Sequence, residues 1–344
     1  MNYIGRPAKP NEKIITIGFV GFHQTFDPIW NHITLAIRDD LPVAVADVAR
    51  GEVPEYLFFS VFSKTHLDPR FDRCVKIFTC EENIRVPWHE CDFAMSSDHL
   101  EEPDSRYLRL PIYARFLRHL KDHTGLTLVK PEHPSYASGA LAIKTKFCNF
   151  VYSNELAKER ILFFEMLSKY KKVDSGGAVL NNMGGTRVGN KLKFLEGYKF
   201  TIAFENSRYP GYISEKLVEP MASFSIPIYW GCRRVGDDFN PFSFVCANEP
   251  EGSGQSELVH HFEQVIRRIV WLDTHDDDYR LMMSEPWFHN NKPNTYCQPS
   301  YIKDFLTAAV FSQTKSKLPK RSLAPKPVPP RGWCWADHLN DPRR

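Results

Sequence analysis

Along the first half of the chain, short apolar runs alternate with polar stretches: IITIGFV (14–20), VAVADV (43–48), YLFFSVF (56–62), CVKIFTC (74–80) and CDFAMSS (91–97). They are rich in Val, Ile and Phe and apolar almost throughout, which predicts strands covered on both faces. Between the first two, IWNHITLAI (29–37) carries apolar residues at helical spacing. The alternation predicts a parallel sheet in an α/β layer fold. EHPSYASGALAI (132–143) holds loop signals and reads as a linker between domains. A second alternation follows: FCNFVYSN (147–154) as a strand, ELAKERILFFEMLSKY (155–170) as an amphipathic helix, a glycine-rich passage (173–190), then the strands YKFTIAF (198–204) and IPIYWG (226–231). HFEQVIRRIVWL (261–272) is a further helix pattern. Two such units in one chain predict a cleft between domains, where ligands bind.

The 344 residues suffice for two ordinary domains. A formal charge of +3 is too small to argue for nucleic acid, and leaves room for a small anion held in one basic pocket. No apolar run reaches about 18 residues and the N-terminus lacks a signal-peptide core, so neither a membrane span nor export is expected. The eight cysteines are scattered without a CxxC pair, which predicts free thiols in a reducing, cytoplasmic setting and no zinc site. From 315 to 331 the chain holds six basic residues, five prolines and no acid. Two readings stand for it: a solvated, extended tail, or peripheral attachment to an anionic membrane surface.

Polar chemistry gathers in FENSRYPGYISEKLVEP (204–220). Ligands of open parallel sheets bind beyond the carboxyl ends of strands, so YKFTIAF delivers Glu205, Asn206 and Ser207 to the binding edge. Ser214 is placed to cap a helix whose apolar stripe is Leu217, Val218, Met221 and Phe224. Backbone N–H groups and the Lys216 ammonium then meet at its start, a phosphate-binding arrangement. Pro220 allows the alternative that the helix starts nearer Leu217, leaving Glu215 and Lys216 in the loop. A solvated Glu-Lys cap and a simple Asn-Ser turn are the bland alternatives. Asp276, Asp277 and Asp278 lie between helical patterns and read as a solvated cap, not a metal site. No Gly-Lys-Ser/Thr follows the DSGG sequence at 174–177, which excludes a Walker loop, and no GxGxxG follows the first strand.

The stretch YKFTIAFENSRYPGYISEKLVEPMASFSIPIYWG resembles the signature of the α-1,3/4-fucosyltransferases. KIFTCEENIRVPWHECDFAMSSDHL, RYLRLPIY, KERILFFEML, VDSGGAVLNN and VGDDFNPFSFV are similar to the same family, in the same order, and the likeness runs from about 14 to 311. The bacterial members, which lack a membrane anchor, look nearest. The resemblance implies a GT-B architecture, two Rossmann-like domains facing across a cleft: an acceptor domain over 1–140, a GDP-fucose domain over 141–313 whose last helix can pack back on the first, and the tail over 314–344. It implies inverting transfer of L-fucose from GDP-β-L-fucose to a hydroxyl of N-acetylglucosamine or glucose, forming an α-1,3 or α-1,4 linkage. The acceptors implied are N-acetyllactosamine, lacto-N-biose or a lipopolysaccharide chain of Lewis type. No cofactor is required on this reading, though manganese or magnesium can stimulate. A transferase using another nucleotide sugar and a silent glycan- or nucleotide-binding protein are the competing readings.

Residue roles follow from the same resemblance. The family usually reads Gly-Glu-Asn-Ile-Arg where this chain has TCEENIR, so Glu82 takes the matching place as general base, with Glu81 as fallback. Arg160 and Lys216 stabilise the departing GDP, and Tyr212 donates a hydrogen bond. Asn206 reaches the diphosphate, and Glu215 accepts from ribose or fucose hydroxyls. Glu205, Ser207 and Gly176 line the donor side. On the acceptor side, His23 touches the glycan or is structural, and Trp88 stacks on a sugar or packs.

Overall fold

The computed structural model describes residues 1–100, 103–125, 128–131, 135–298 and 300–314. The basic, proline-rich tail, Cys334 and the start of the expected linker (132–134) lie outside the described residues. The helices are α1 (His32–Ile37), α2 (Ile112–Thr124), α3 (Ser135–Ala142), α4 (Lys158–Ser168), α5 (Lys191–Leu195), α6 (Glu215–Ala222), α7 (Val235–Asp238), α8 (Gln255–Thr274), α9 (Asp276–Ser284) and α10 (Ser300–Phe305). Two compact units divide the chain: Met1–Arg115 with the segment that begins at Thr295, and Phe116–Asn294. The first boundary therefore falls before the 140/141 division read from the loop signals, because residues 135–142, expected as linker, form α3 and join the second unit. There Tyr136 donates from its hydroxyl to Met283 O at 2.9 Å.

The first unit is built on seven strands: β1 (Asn2–Tyr3), β2 (Ile15–Val20), β3 (Val43–Val45), β4 (Tyr56–Phe59), β5 (Val75–Thr79), β6 (Phe93–Ser96) and β7 (Tyr107–Arg109). Their order is β1-β3-β2-β4-β5-β6-β7. Only β1 on β3 is antiparallel. Both faces are covered, as the apolar runs predict: Ile17, Phe58 and Ile77 belong to one core cluster, Leu57, Phe59 and Phe78 to the other. α1 starts at His32 rather than 29, since Asn31 closes a capping box with Thr34. The first core cluster is completed from the far end of the chain. Ile302 on α10, with Leu306 and Val310 on the π-helical turn that continues it, is fully buried there. Tyr56 ties that turn down by donating to Phe311 O and Gln313 O, both at 3.0 Å.

The second unit carries five parallel strands: β8 (Lys146–Phe150), β9 (Val173–Ser175), β10 (Tyr198–Phe204), β11 (Ile226–Trp230) and β12 (Val245–Cys246). Their order is β12-β11-β10-β8-β9, which puts β10 at the centre. Phe204 at its end packs between Phe163 of α4 and Trp230 of β11, with ring centroids 4.9 and 5.8 Å away. Helical ends differ from the periodic patterns. α8 runs from Gln255 to Thr274, beyond both ends of its apolar stripe. The three aspartates 276–278 occupy the first turn of α9, where the helix dipole favours negative charge.

α6 begins at Glu215 with Ser214 as N-cap, so the start nearer Leu217 is not the one adopted. Pro220 sits inside it. Phe224 is not on the helical stripe: it takes a left-handed φ of 51° and ends the helix. Its N–H meets Met221 O at 3.1 Å, while Ser225 N–H meets Pro220 O at 2.9 Å. These are the paired bonds of a Schellman turn, here without glycine.

Candidate active site

In the second unit the site grows from the carboxyl end of β10. Glu205, the next residue, is fully buried. Its Oε1 accepts from Ser214 N–H at 2.8 Å and its Oε2 from Ser214 Oγ at 2.7 Å. Gly231 makes room for it: a Cβ there would lie 2.6 Å from Glu205 Cγ. Burial pushes the Glu205 carboxyl above the usual range, opposed by Lys216 and the two Ser214 bonds. The fully enclosed Glu205 carboxylate anchors the α6 cap.

Lys216 is the second residue of α6, and its N–H is the one that Ser214 caps. Its Nζ lies 3.0 Å from Ser214 Oγ, 3.0 Å from Glu215 Oε1 and 3.6 Å from Glu205 Oε2. Burial works against its charge, but the Glu205 and Glu215 carboxylates outweigh it and hold its pKa above the ordinary lysine value. Glu215 is held below the usual carboxylate range: burial would raise it, and Lys216 outweighs that. The result is a protonated lysine at the start of a helix, flanked by one buried and one half-buried acid.

Arg160 is expected as a group that meets the leaving phosphate. The structure encloses it to 1% exposure. Its Nη2 donates to Phe204 O at 3.1 Å, Glu205 O at 2.9 Å and Asn206 Oδ1 at 2.9 Å, and its Nη1 to Asn154 O at 3.2 Å. The guanidinium lies over the Tyr152 ring at 3.8 Å. Tyr152 in turn donates to Ile202 O at 2.7 Å and accepts from Phe204 N–H at 2.8 Å. Arg160 thus reaches the binding edge through Asn206, whose amide it orients, rather than through an open guanidinium. Tyr152 was not singled out in the sequence. Its signal is an aromatic residue two positions beyond β8, beside an arginine in the following helix.

The remaining donor-side residues divide. Asn206 is exposed, Ser207 half-buried, and Tyr212 buried at 5% exposure next to the Ser214 cap. Gly176 is enclosed: its N–H goes to Phe150 O at 3.1 Å, and a Cβ would meet Val188 Cγ2 at 2.5 Å. It is a close-packing glycine rather than a ligand contact. Arg208, two residues past Asn206, pairs with the buried Glu249, which also accepts from Trp230 Nε1 at 3.0 Å.

In the first unit, Glu81 and Glu82 follow β5 at the carboxyl edge of its sheet. Glu81 forms an ion pair with Arg115. Glu82 is exposed, and its carboxylate has no ion-pair partner among the described residues. Its backbone is fixed by Glu82 N–H on Cys80 Sγ at 3.2 Å and by Ile84 N–H on Glu82 O at 2.9 Å. Arg85, from the same loop, is bonded at 3.0 Å to Asp98, a buried acid just past β6. His23, beyond β2 on the same edge, is exposed, its Nδ1 2.9 Å from Thr25 Oγ1. Trp88 is 5% exposed within the core, with the Arg106 guanidinium 4.8 Å over its ring. It packs, and its faces are not open to a sugar. Among the described residues no group of three His, Cys, Asp or Glu is arranged to hold a metal ion.

Two family models match the chain: the α-(1,3)-fucosyltransferase FucT N-terminal domain over residues 17–116, and the C-terminal part of glycosyltransferase family 10 (fucosyltransferase) over 141–279. The α-(1,3)-fucosyltransferase FucT of Helicobacter pylori is 33% identical over 238 residues, 62% of this chain and 48% of that protein. The chain therefore spans about half the length of that relative. Among solved structures, a crystal structure of an α1,3-fucosyltransferase superposes with a TM-score of 0.71 at 25% identity, covering 91% of this chain and 95% of the other. A crystal structure of an α1,3-fucosyltransferase with GDP-fucose superposes with a TM-score of 0.69 at 26% identity, covering 90% and 95%. Two Rossmann-like sheets, the Ser-Glu-Lys helix start and both family matches agree: this chain belongs to the fucosyltransferases of glycosyltransferase family 10.

Proposed function

We propose that the protein transfers L-fucose from GDP-β-L-fucose to a hydroxyl of N-acetylglucosamine or glucose in a lactosamine-type glycan, with inversion, giving an α-1,3 or α-1,4 linkage. The observation that carries this reading is Lys216: a half-buried ammonium held protonated in the first turn of α6, in the same unit as Asn206, two residues past the central strand. A helix start with a fixed cation suits a diphosphate. Asn206, oriented by Arg160, and Tyr212 add neutral donors, and Glu215 accepts from sugar hydroxyls. Arg160 contributes its charge from behind Asn206.

In the reaction the acceptor oxygen bonds to C1 of fucose on the face opposite the phosphate. The C1–O bond to the β-phosphate breaks and its electron pair leaves with GDP. The acceptor proton goes to Glu82, the exposed carboxylate of the first unit's edge. Positive character at C1 in the transition state is of the kind seen in glycoside hydrolysis. The test is release of GDP from GDP-fucose on adding N-acetyllactosamine or lacto-N-biose, with product linkage read by NMR. Hydrolysis-level release with every acceptor, or equal use of other nucleotide sugars, would sink the proposal.

A further inference from the structure

The loop that carries Glu82 is held at both ends and open between them. It enters from Cys80 and leaves through Val86 and Trp88, all three packed in one core cluster. Between them Glu81, Glu82, Ile84 and Arg85 are exposed. A base on an exposed loop has to be fixed by something, because a misplacement of about 1 Å costs on the order of a hundredfold in rate. We propose that Asp98 does this: it is a positioning residue that sets the place of Glu82 by holding Arg85. The inference rests on Glu82 acting as the base and adds the residue that keeps it in position.

β5 and β6 are parallel neighbours, so Glu82, three residues past Thr79, and Asp98, two past Ser96, leave the same edge of the sheet. The Asp98 side chain is 5% exposed and that of Arg85 45%. Arg85 Nη1 donates to Asp98 Oδ1 at 3.0 Å. A charge-assisted bond to an enclosed carboxylate is less screened than a surface pair. Asp98 is itself fixed to the sheet: its O accepts from the Tyr107 hydroxyl at 2.7 Å, and Tyr107 opens β7, the next strand. Its N–H meets Ser96 Oγ at 3.4 Å. The contacts therefore run from the sheet through Asp98 and Arg85 to a point three residues from Glu82. That short path is stiff. Ile84 N–H closes a tight turn on Glu82 O at 2.9 Å, and Glu82 N–H meets Cys80 Sγ at 3.2 Å. A shift at Arg85 is passed on to Glu82 rather than absorbed. The other tie of the loop, Glu81 to Arg115, joins two exposed side chains and holds it weakly.

The test uses the whole protein with Asp98→Ala, Asp98→Asn and Arg85→Gln, each alone and together with Glu82→Gln. Hydrogen exchange, read by mass spectrometry, is expected to quicken several-fold at the Glu82 and Ile84 amides in Asp98→Ala and Arg85→Gln, with β5 and β6 unchanged. In transfer, both should lower kcat about tenfold or more at unaltered GDP affinity. Asp98→Asn keeps an acceptor for Arg85 and should recover much of that loss. In the Glu82→Gln background the same changes should alter the residual rate less than about twofold, since no base is left to misplace. A support of the fold alone would cost the same in both backgrounds. Unaltered exchange in the loop, equal losses with and without Glu82, or full kcat in both disruptive variants overturns the proposal. Should Asp98→Ala fail to fold, Arg85→Gln, on the exposed side of the pair, carries the same test. If loop exchange quickens while Glu82→Gln itself loses no activity, Asp98 stands as the holder of Glu82 and the base reading falls.

Discussion

At the scale of single residues, the two neighbouring glutamates of the first unit differ in what holds them. Glu82 is exposed with no ion-pair partner among the described residues, while Glu81 is held by Arg115. Glu82→Ala is expected to lower turnover by a factor of about a hundred or more while GDP affinity holds, and Lys216→Ala to weaken GDP itself, both by calorimetry beside rate measurement. Full activity in the first variant discards the base assignment. Glu205 is support: fully buried, raised in pKa, and bonded to Ser214. Because the folded state holds that proton more tightly, stability from this group is greatest below the unfolded value of about 4.3 and declines as pH rises through the raised folded value. Glu205→Gln should flatten that decline in urea unfolding, yet weaken GDP several-fold, because Lys216 loses the carboxylate 3.6 Å away. A variant with the parent's slope would remove Glu205 from this role.

At the scale of elements, the strands were legible because both sheets are covered on both faces, so apolar residue types dominate their positions, with buried polar exceptions such as Lys76 and Asn149. Helix ends were less so. α1 starts where Asn31 and Thr34 exchange bonds, and α6 ends where Phe224 enters the left-handed region, events of side-chain geometry that periodicity does not carry. The donor side was readable as a place, since the Glu-Asn-Ser block must follow the central strand. Which of its members face a ligand was not, because a residue just past a strand obeys neither spacing rule. Glu205 turns inward and Asn206 outward for that reason, and Gly176 and Trp88 are packing residues in loops that look accessible on paper.

Lys130 offers an element-scale test. Its Nζ, 3.3 Å from the Trp287 ring centroid, donates to Met283 O at 2.5 Å and to Glu285 O, capping the C-terminus of α9. Burial brings its pKa down to about 6. Between that value and about 10.4 the unfolded chain holds the extra proton, so stability rises with pH across the window. Lys130→Met should cost about 1–3 kcal/mol at pH 9 and less at pH 6, measured by urea unfolding. An equal or larger loss at pH 6 would refute the buried-amine account.

At the scale of the whole molecule, each unit keeps its own sheet and core, and among the described residues the second is one continuous stretch, 116–294, while the first is not. The first needs Ile302, Leu306 and Val310 to finish a cluster begun by β2 and β4. Leu306→Ala is expected to cost about 2–5 kcal/mol and to speed amide exchange in β2 and β4. Exchange left unaltered there would mean the terminal turn is dispensable to that core. No helix among the described residues is long and apolar enough to cross a membrane.

That discontinuity bears on biogenesis. On the ribosome, the N-terminal sheet emerges with one apolar face covered by α1 alone and waits for Ile302, Leu306 and Val310 until the entire second unit has been translated, about 10–40 s at ordinary elongation rates. The later-made unit is then the earlier to mature. Slowing translation should therefore lengthen the susceptibility of the nascent N-terminal portion to protease without touching the finished protein.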